Sequence, residues 1–263
     1  MPLSTAALSA ADTAAGGAQP TPYARGRPPY PMELLPWLQG PLDLGPSSVA
    51  VDLGAGTGRF TRLLLQTGAE VIAVEPVDVL RNQLATRLLG ARALAGTAQS
   101  LPLESGSVDA VLCAQSFHHF ADEAALDEIH RVLAPGGRLG LVWHERDESV
   151  DWVAAFAAII APYEVEAPHF RGGRWRAPLA DHPGFGPLHL ASFPHRHVGP
   201  PREVLLDRVL SISFIAALPP SQRDEVADAI AHLMATHPTL CGADTVAFPY
   251  CTRAFHCTAR AIP

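Results

Sequence analysis

The segment that most restricts how this chain can fold is residues 49–60, Val-Ala-Val-Asp52-Leu-Gly54-Ala55-Gly56-Thr57-Gly58-Arg-Phe. A short apolar run turns through glycines spaced G-x-G-x-G. It then enters a stretch that puts Phe60, Leu63 and Leu64 on one helical face, and Gly68 ends it. A strand, a glycine turn and a helix in that order expose bare backbone and the unpaired N–H groups of a helix start, where a ligand can approach closely. The spacing departs from the G-x-G-x-x-G of a dinucleotide turn. Asp52, just ahead of the first glycine, would repel a pyrophosphate and suits a cationic amino group. Glu75 closes the next strand-like run, 21 residues after Gly54. An acid at that position accepts hydrogen bonds from ribose hydroxyls. Together the two acids imply a ligand with a ribose and a cationic tail, and no diphosphate.

The rest of residues 48–145 repeats the strand–helix alternation. Strand-like runs at 48–53, 70–75, 92–95, 108–114 and 138–143 are separated by amphipathic stretches. One of these carries Leu80, Leu84 and Leu88 behind a capping Asp78, and another carries Leu126, Ile129, Val132 and Leu133 behind a capping Asp122. Pro135-Gly136-Gly137 turns the chain into the fifth strand. Apolar strands alternating with amphipathic helices specify a parallel sheet with helices on both faces. The expected division is a small-residue tail at 1–20, a lid and ligand-binding core at 21–145, a cap at 146–240 and a closing strand hairpin at 241–263. The cap reads as helices at 152–160, 204–218 and 223–235, the last capped by Ser221, with a late core strand near 188–198.

Composition removes several function classes. All 19 basic residues are arginines, so a P-loop and a Schiff-base cofactor both lack their lysine. A net charge of −7 argues against nucleic acid as partner. No apolar run reaches the length of a membrane span, and the start of the chain lacks the basic and apolar regions of a signal peptide. Cys113, Cys241, Cys251 and Cys257 form no CxxC pair, which fits a reducing cytoplasm. His195-x-His197 reads as a surface pair without enough company for a metal.

Several motifs in order carry a resemblance. The glycine turn 51–58, Glu75, the loop Ala95-Gly96-Thr97-Ala98-Gln99-Ser100-Leu101-Pro102, the run Asp109 to Phe120 and the entry Arg131-Val-Leu-Ala-Pro135-Gly136-Gly137 resemble class I methyltransferases dependent on S-adenosylmethionine (SAM), of the subgroup rich in small-molecule enzymes. The resemblance implies a doubly wound, Rossmann-like α/β sheet of seven strands, the last pair antiparallel, with a mostly helical cap. It implies SAM as cofactor and S-adenosylhomocysteine as product. On this reading Tyr23, Arg27, Asp52, Gly54, Ala55, Gly56, Thr57, Gly58, Glu75, Pro76, Thr97, Ala98, Gln99, Ala114, Gln115 and Ser116 hold the cofactor. Where the family often has an acid in the adenine loop, this chain has Thr97 and Gln99.

Methyl transfer needs alignment and water exclusion, and a base only where the nucleophile must lose a proton. Tyr23, His118 and His119 are the candidate catalytic residues; Tyr30, His119, Trp143, His144, Trp152, Phe170 and Trp175 are candidates to line the acceptor pocket. An aromatic lining points to a neutral or aromatic acceptor, such as an indole, in specialised metabolism. Arg25, Arg27, Arg171, Arg174 and Arg176 can clamp a carboxylate or simply lie solvated on loops. A SAM-binding regulator without turnover, an NAD-dependent oxidoreductase and an enzyme acting on a macromolecule remain as alternatives. The oxidoreductase is opposed by Asp52 and the glycine spacing, the macromolecular acceptor by the net charge.

Overall fold

A computed structural model describes residues 25–164 and 173–261 of the chain. The strands are β1 (Val49–Leu53), β2 (Glu70–Val74), β3 (Ala91–Leu94), β4 (Val108–Ala114), β5 (Leu133–Arg146), β6 (His189–Gly199) and β7 (Val246–Thr258). They form one sheet in the order β3-β2-β1-β4-β5-β7-β6, parallel from β3 through β5, with the last pair antiparallel. The Rossmann-like fold expected from the alternation is present. The order doubles back between β1 and β4, the neighbours on either side of the switch point where doubly wound sheets bind ligands.

Tertiary contacts divide the described chain into two compact units. The larger comprises 30–144, 173–193 and 252–261; the second comprises 25–29, 145–164 and 194–251. In the larger unit, β1, β2 and β4 are buried on both faces, as the continuous Val/Ala/Ile/Leu runs require. One face packs against α4 (Glu123–Val132) through Leu126, Ile129 and Val132, each fully buried. The other meets α1 (Leu35–Gln39) and α2 (Arg59–Leu64) through Trp37, Leu38, Phe60 and Leu64. The second unit has its own core, in which α5 (Asp151–Glu164) places Trp152 and Phe156 edge-on to Phe248 at centroid distances of 4.9 and 5.2 Å.

Caps divide into one that forms and two that do not. Asp122 caps α4, its Oδ1 accepting from the Ala125 N–H at 2.8 Å. Asp122→Ala should therefore cost about 1 kcal/mol, read as a lowered urea midpoint with unchanged slope. Asp78 does not cap: α3 (Asp78–Arg87) begins at Asp78 itself, and its carboxylate turns to Arg81. Ser221 does not cap either, because Pro220 starts α7 (Pro220–Thr236) with its pre-set φ and leaves Ser221 inside the first turn. The helix expected over 204–218 is broken into a π-helical turn Arg202–Asp207, a single turn Arg208–Leu210 and another at Ser213–Ala216. Ser211 lies at the break, where its hydroxyl bonds back to the Arg208 carbonyl at 2.7 Å in place of a continued ladder. The remaining short helix, α6 (Arg176–Asp181), packs against α4. The 241–263 segment contributes one long strand, β7, in place of a hairpin, and lies between β5 and β6. His197 is only 8% exposed, so of the 195/197 pair only His195, partly exposed, reaches the surface. Among the described residues no group of three or more His, Cys, Asp or Glu is placed to hold a metal, and no helix is long and apolar enough to cross a membrane.

Candidate active site

The carboxyl ends of β1, β2 and β4 meet in the larger unit. Leaving β1, the Gly54 and Ala55 N–H groups both donate to the Val74 carbonyl of β2, at 2.9 and 3.2 Å, which folds the turn back over the sheet edge. Gly54, Gly56 and Gly58 have φ of +74°, +57° and +84°, the left-handed region that side chains disfavour. They also differ in surroundings. A Cβ on Gly54 would lie 2.7 Å from Cβ of Ser116, and one on Gly58 would lie 2.6 Å from Leu88, whereas one on Gly56 would meet nothing within 4 Å. Gly54 and Gly58 thus let the turn pack onto its neighbours, and Gly56 leaves open space above bare backbone.

Two acids flank the turn, both almost fully buried: Asp52 is 1% exposed and Glu75 5%. Glu75 clamps the loop, its two carboxylate oxygens accepting from the N–H groups of Gly56 at 2.8 Å and Val77 at 2.9 Å. An ionised carboxylate has about four lone-pair sites, so accepting these two bonds leaves capacity for hydroxyl donors. Burial raises the Glu75 pKa, opposed by these two bonds. Asp52 accepts from the Thr61 hydroxyl at 2.6 Å, from the first turns of α2. Burial, resisted by that bond and reinforced by the negative charge of Glu75, pushes its pKa up to about 7. Thr61 was not singled out in the sequence; its one signal is its place on the inward face of the helix that the glycine turn opens.

The loop after β4 supplies the opposite wall. Gln115, one of two described non-glycine residues with positive φ, is held at φ +61° by its N–H bond to the Val142 carbonyl at 2.8 Å. Ser116 follows, donating its hydroxyl to the Leu53 carbonyl at 2.7 Å and tying this loop to the end of β1. A short 3₁₀ turn, Phe117–His119, then sets the two histidine rings 4.0 Å apart. The Trp143 indole donates from Nε1 to His118 Nδ1 at 3.0 Å. An indole can only donate, so while this bond holds, His118 Nδ1 carries no proton and the proton of the ring sits on Nε2. His118 thus presents a donor, and its one basic lone pair is already engaged. Trp143→Phe should keep the fold at a cost of about 1 kcal/mol and release Nδ1. Nitrogen–proton correlation spectra should then change from a single Nε2–H tautomer to a mixture, and an unchanged tautomer would refute this assignment.

The other candidates fall out as follows. Thr97 pairs its backbone with Ser100, Ala98 is 4% exposed, and the Gln99 amide donates to Asp122 at 3.0 Å. Pro76 is exposed beside Glu75, and Ala114 ends β4, partly buried. Tyr30 stands 4.8 Å ring-to-ring from both Phe60 and His144, while His144 Nδ1 meets Thr252 Oγ1 at 2.9 Å. Trp143 and Trp175 are 1% and 2% exposed, 4.6 Å apart ring-to-ring and each edge-on to Phe255 in the core. Trp152 belongs to the core of the second unit, as does Arg27 to that unit. Tyr23, Phe170 and Arg171 lie outside the described residues. Arg174 is exposed, and Arg176 lies 5.2 Å over the Trp175 ring. A cleft lined by Ser48, Asp109, Pro135 and Arg138 sits at the amino ends of the strands, the wrong edge for a ligand of this fold.

Comparison with known proteins agrees with this geometry. Residues 51–141 match a methyltransferase domain family. An uncharacterized methyltransferase-like protein of Schizosaccharomyces pombe is 37% identical over 89% of this chain and 91% of its own length. The chain belongs to the methyltransferase family. An uncharacterized methyltransferase of Mycobacterium tuberculosis is similar to this methyltransferase at 38% identity, over 88% of this chain and 89% of its own. Among solved structures, one from Anaeromyxobacter dehalogenans described as a type II methyltransferase superposes with a TM-score of 0.63 at 21% identity, covering 90% of this chain and 99% of that one. The YcgJ protein of Bacillus subtilis gives 0.54 at 18%, covering 88% and 99%. These two likenesses speak for the class I fold of the methyltransferase.

Proposed function

We propose that this protein transfers a methyl group from SAM to a small-molecule acceptor, leaving S-adenosylhomocysteine. The observation that carries this reading is the glycine turn at the end of β1, open over Gly56 and flanked by two buried carboxylates. The donor set fits the cofactor. Glu75 has acceptor capacity for ribose hydroxyls, Asp52 has a carboxylate for the methionine amino group, and the backbone of Ala98 and Gln99 would serve the adenine, that of Thr97 being paired with Ser100. SAM when bound would supply an electrophilic sulfonium methyl, and the chemistry of the protein is then alignment and exclusion of water. Gln115 and Ser116 fix the wall facing the turn, and His118 offers an N–H donor from Nε2.

The expectation of a neutral aromatic acceptor rested on an aromatic lining, and the burial of Trp143, Trp152 and Trp175 takes most of that support away. Asp52 and the glycine geometry favour SAM over a dinucleotide. A SAM-binding regulator would share the same turn and lack turnover. The four cysteines are free thiols, which supports a cytoplasmic setting. The test is calorimetry with SAM, followed by mass spectrometry with isotopically labelled SAM and a pooled metabolite extract. Binding with a labelled product is expected. Failure to bind SAM would sink the reading, and binding without turnover across a wide acceptor panel would favour the regulator.

A further inference from the structure

The second unit gathers arginines around one buried serine. Gly26 lies directly on the peptide between Asp207 and Arg208, where a Cβ would come within 2.5 Å of three backbone atoms. Only glycine permits this approach, and it brings both flanking arginines to the 207–211 segment. Arg25 pairs with Asp207 at 3.1 Å, while Arg27 donates from Nη2 to the Ser211 carbonyl at 2.8 Å. Arg208 donates to the Ser211 hydroxyl at 3.2 Å and to the Tyr250 hydroxyl at 3.3 Å. Ser211 is fully buried and Tyr250 4% exposed. Arg27 and Arg208 therefore converge on a single residue.

The charges around this point are unequally met. Asp207 answers Arg25, and Glu164 and Glu148 answer Arg146 at 3.3 and 3.6 Å. Arg208 makes hydrogen bonds to hydroxyls only, with no carboxylate within ion-pair reach among the described residues. Its guanidinium is held below the usual arginine range by burial and by the neighbouring charges of Arg27 and Arg146, against an opposing contribution from Tyr250. Guanidiniums collected out of water cost free energy unless an anion joins them, and their fork geometry matches the oxygens of a carboxylate or phosphoryl group. A π-helical turn is a further mark of a shaped site.

We propose that Arg208, with Arg27 and Tyr250, forms an oxyanion-binding site for a carboxylate or phosphoryl group. The test is thermal unfolding of the full chain titrated with citrate, with inorganic phosphate and with sodium chloride at matched ionic strength, with and without SAM. A saturable rise with citrate, phosphate or both, absent with chloride, is expected. A response to citrate alone assigns a carboxylate, and one to phosphate alone assigns a phosphoryl group. Arg208→Gln should raise the apparent Kd about 20-fold, with Arg208→Lys falling between. Tyr250→Phe keeps the ring in the core and should weaken binding by about 3-fold or more. It guards against a misfolded arginine variant. A wild type that responds no more than to chloride, or variants that respond like wild type, would overturn the site. SAM calorimetry on the same samples reads the methyl-transfer proposal separately, since loss of SAM binding leaves the oxyanion response measurable.

Discussion

Gly54→Val should abolish measurable SAM binding, a loss of at least about 100-fold, and should cost the fold roughly 2–4 kcal/mol. Two independent penalties add. The residue sits at φ +74°, where a β-branched side chain is strained, and its first carbon would already be 2.7 Å from the Cβ of Ser116. Ser116 has little freedom to yield, because its hydroxyl is tied to the Leu53 carbonyl at 2.7 Å. The turn or the β4 loop must therefore move, and both are walls of the proposed cofactor site. Gly56→Ala is the informative contrast. Its Cβ meets no protein atom within 4 Å, so stability should fall by only about 1 kcal/mol, the cost of φ +57°. SAM affinity should nevertheless fall steeply, because the open space above Gly56 is where the ligand would lie. Calorimetry and urea unfolding on both variants give the two quantities, and SAM affinity within threefold of wild type in both would refute the placement of the cofactor.

Asp52→Asn should make the protein more stable at pH 8 and a weaker binder of SAM. The folded-state pKa of Asp52 is pushed from 3.8 up to about 7, chiefly by burial. The folded state therefore holds a proton more tightly than the unfolded one, and this group's contribution to stability is present at low pH and lost as pH rises from about 4 to about 7. At 1.36 kcal/mol per unit the loss is on the order of 4 kcal/mol. Asparagine never ionises, so the variant escapes it: the urea midpoint should exceed wild type at pH 8, with the gap narrowing toward pH 4.5. Cofactor affinity should move the opposite way. A cationic amino group pairs with the ionised carboxylate, so wild-type affinity should climb as pH passes 7, and the Asn variant should bind weakly and without that rise. A variant destabilised at pH 8 would mean the buried carboxylate is stabilised by partners beyond Thr61. Unchanged SAM affinity would make Asp52 a turn-forming residue only.

Much of this protein was legible because its signals are local. The G-x-G-x-G turn, its two acids and the strand–helix alternation depend on backbone freedom and on the period of the apolar residues, and both are written in short windows of sequence. They determined the Rossmann-like fold and the region of the proposed site. The cap of α4 was legible for the same reason, since Asp122 acts on a backbone N–H three residues away. Other features were settled by packing between distant segments. Trp143 and Trp175 look like pocket aromatics in sequence, yet each buries against the other and Phe255. Which nitrogen of His118 carries the ring proton depended on an indole 25 residues away. The arginines at 25, 27, 146 and 208 are scattered along the chain, and only the approach of Gly26 to the Asp207–Arg208 peptide brings the first two to the last. Sequence alone fixes what a window of a few residues can enforce, and only the tertiary structure decides which distant side chains share a low-dielectric space, where burial and neighbouring charge set protonation and pairing.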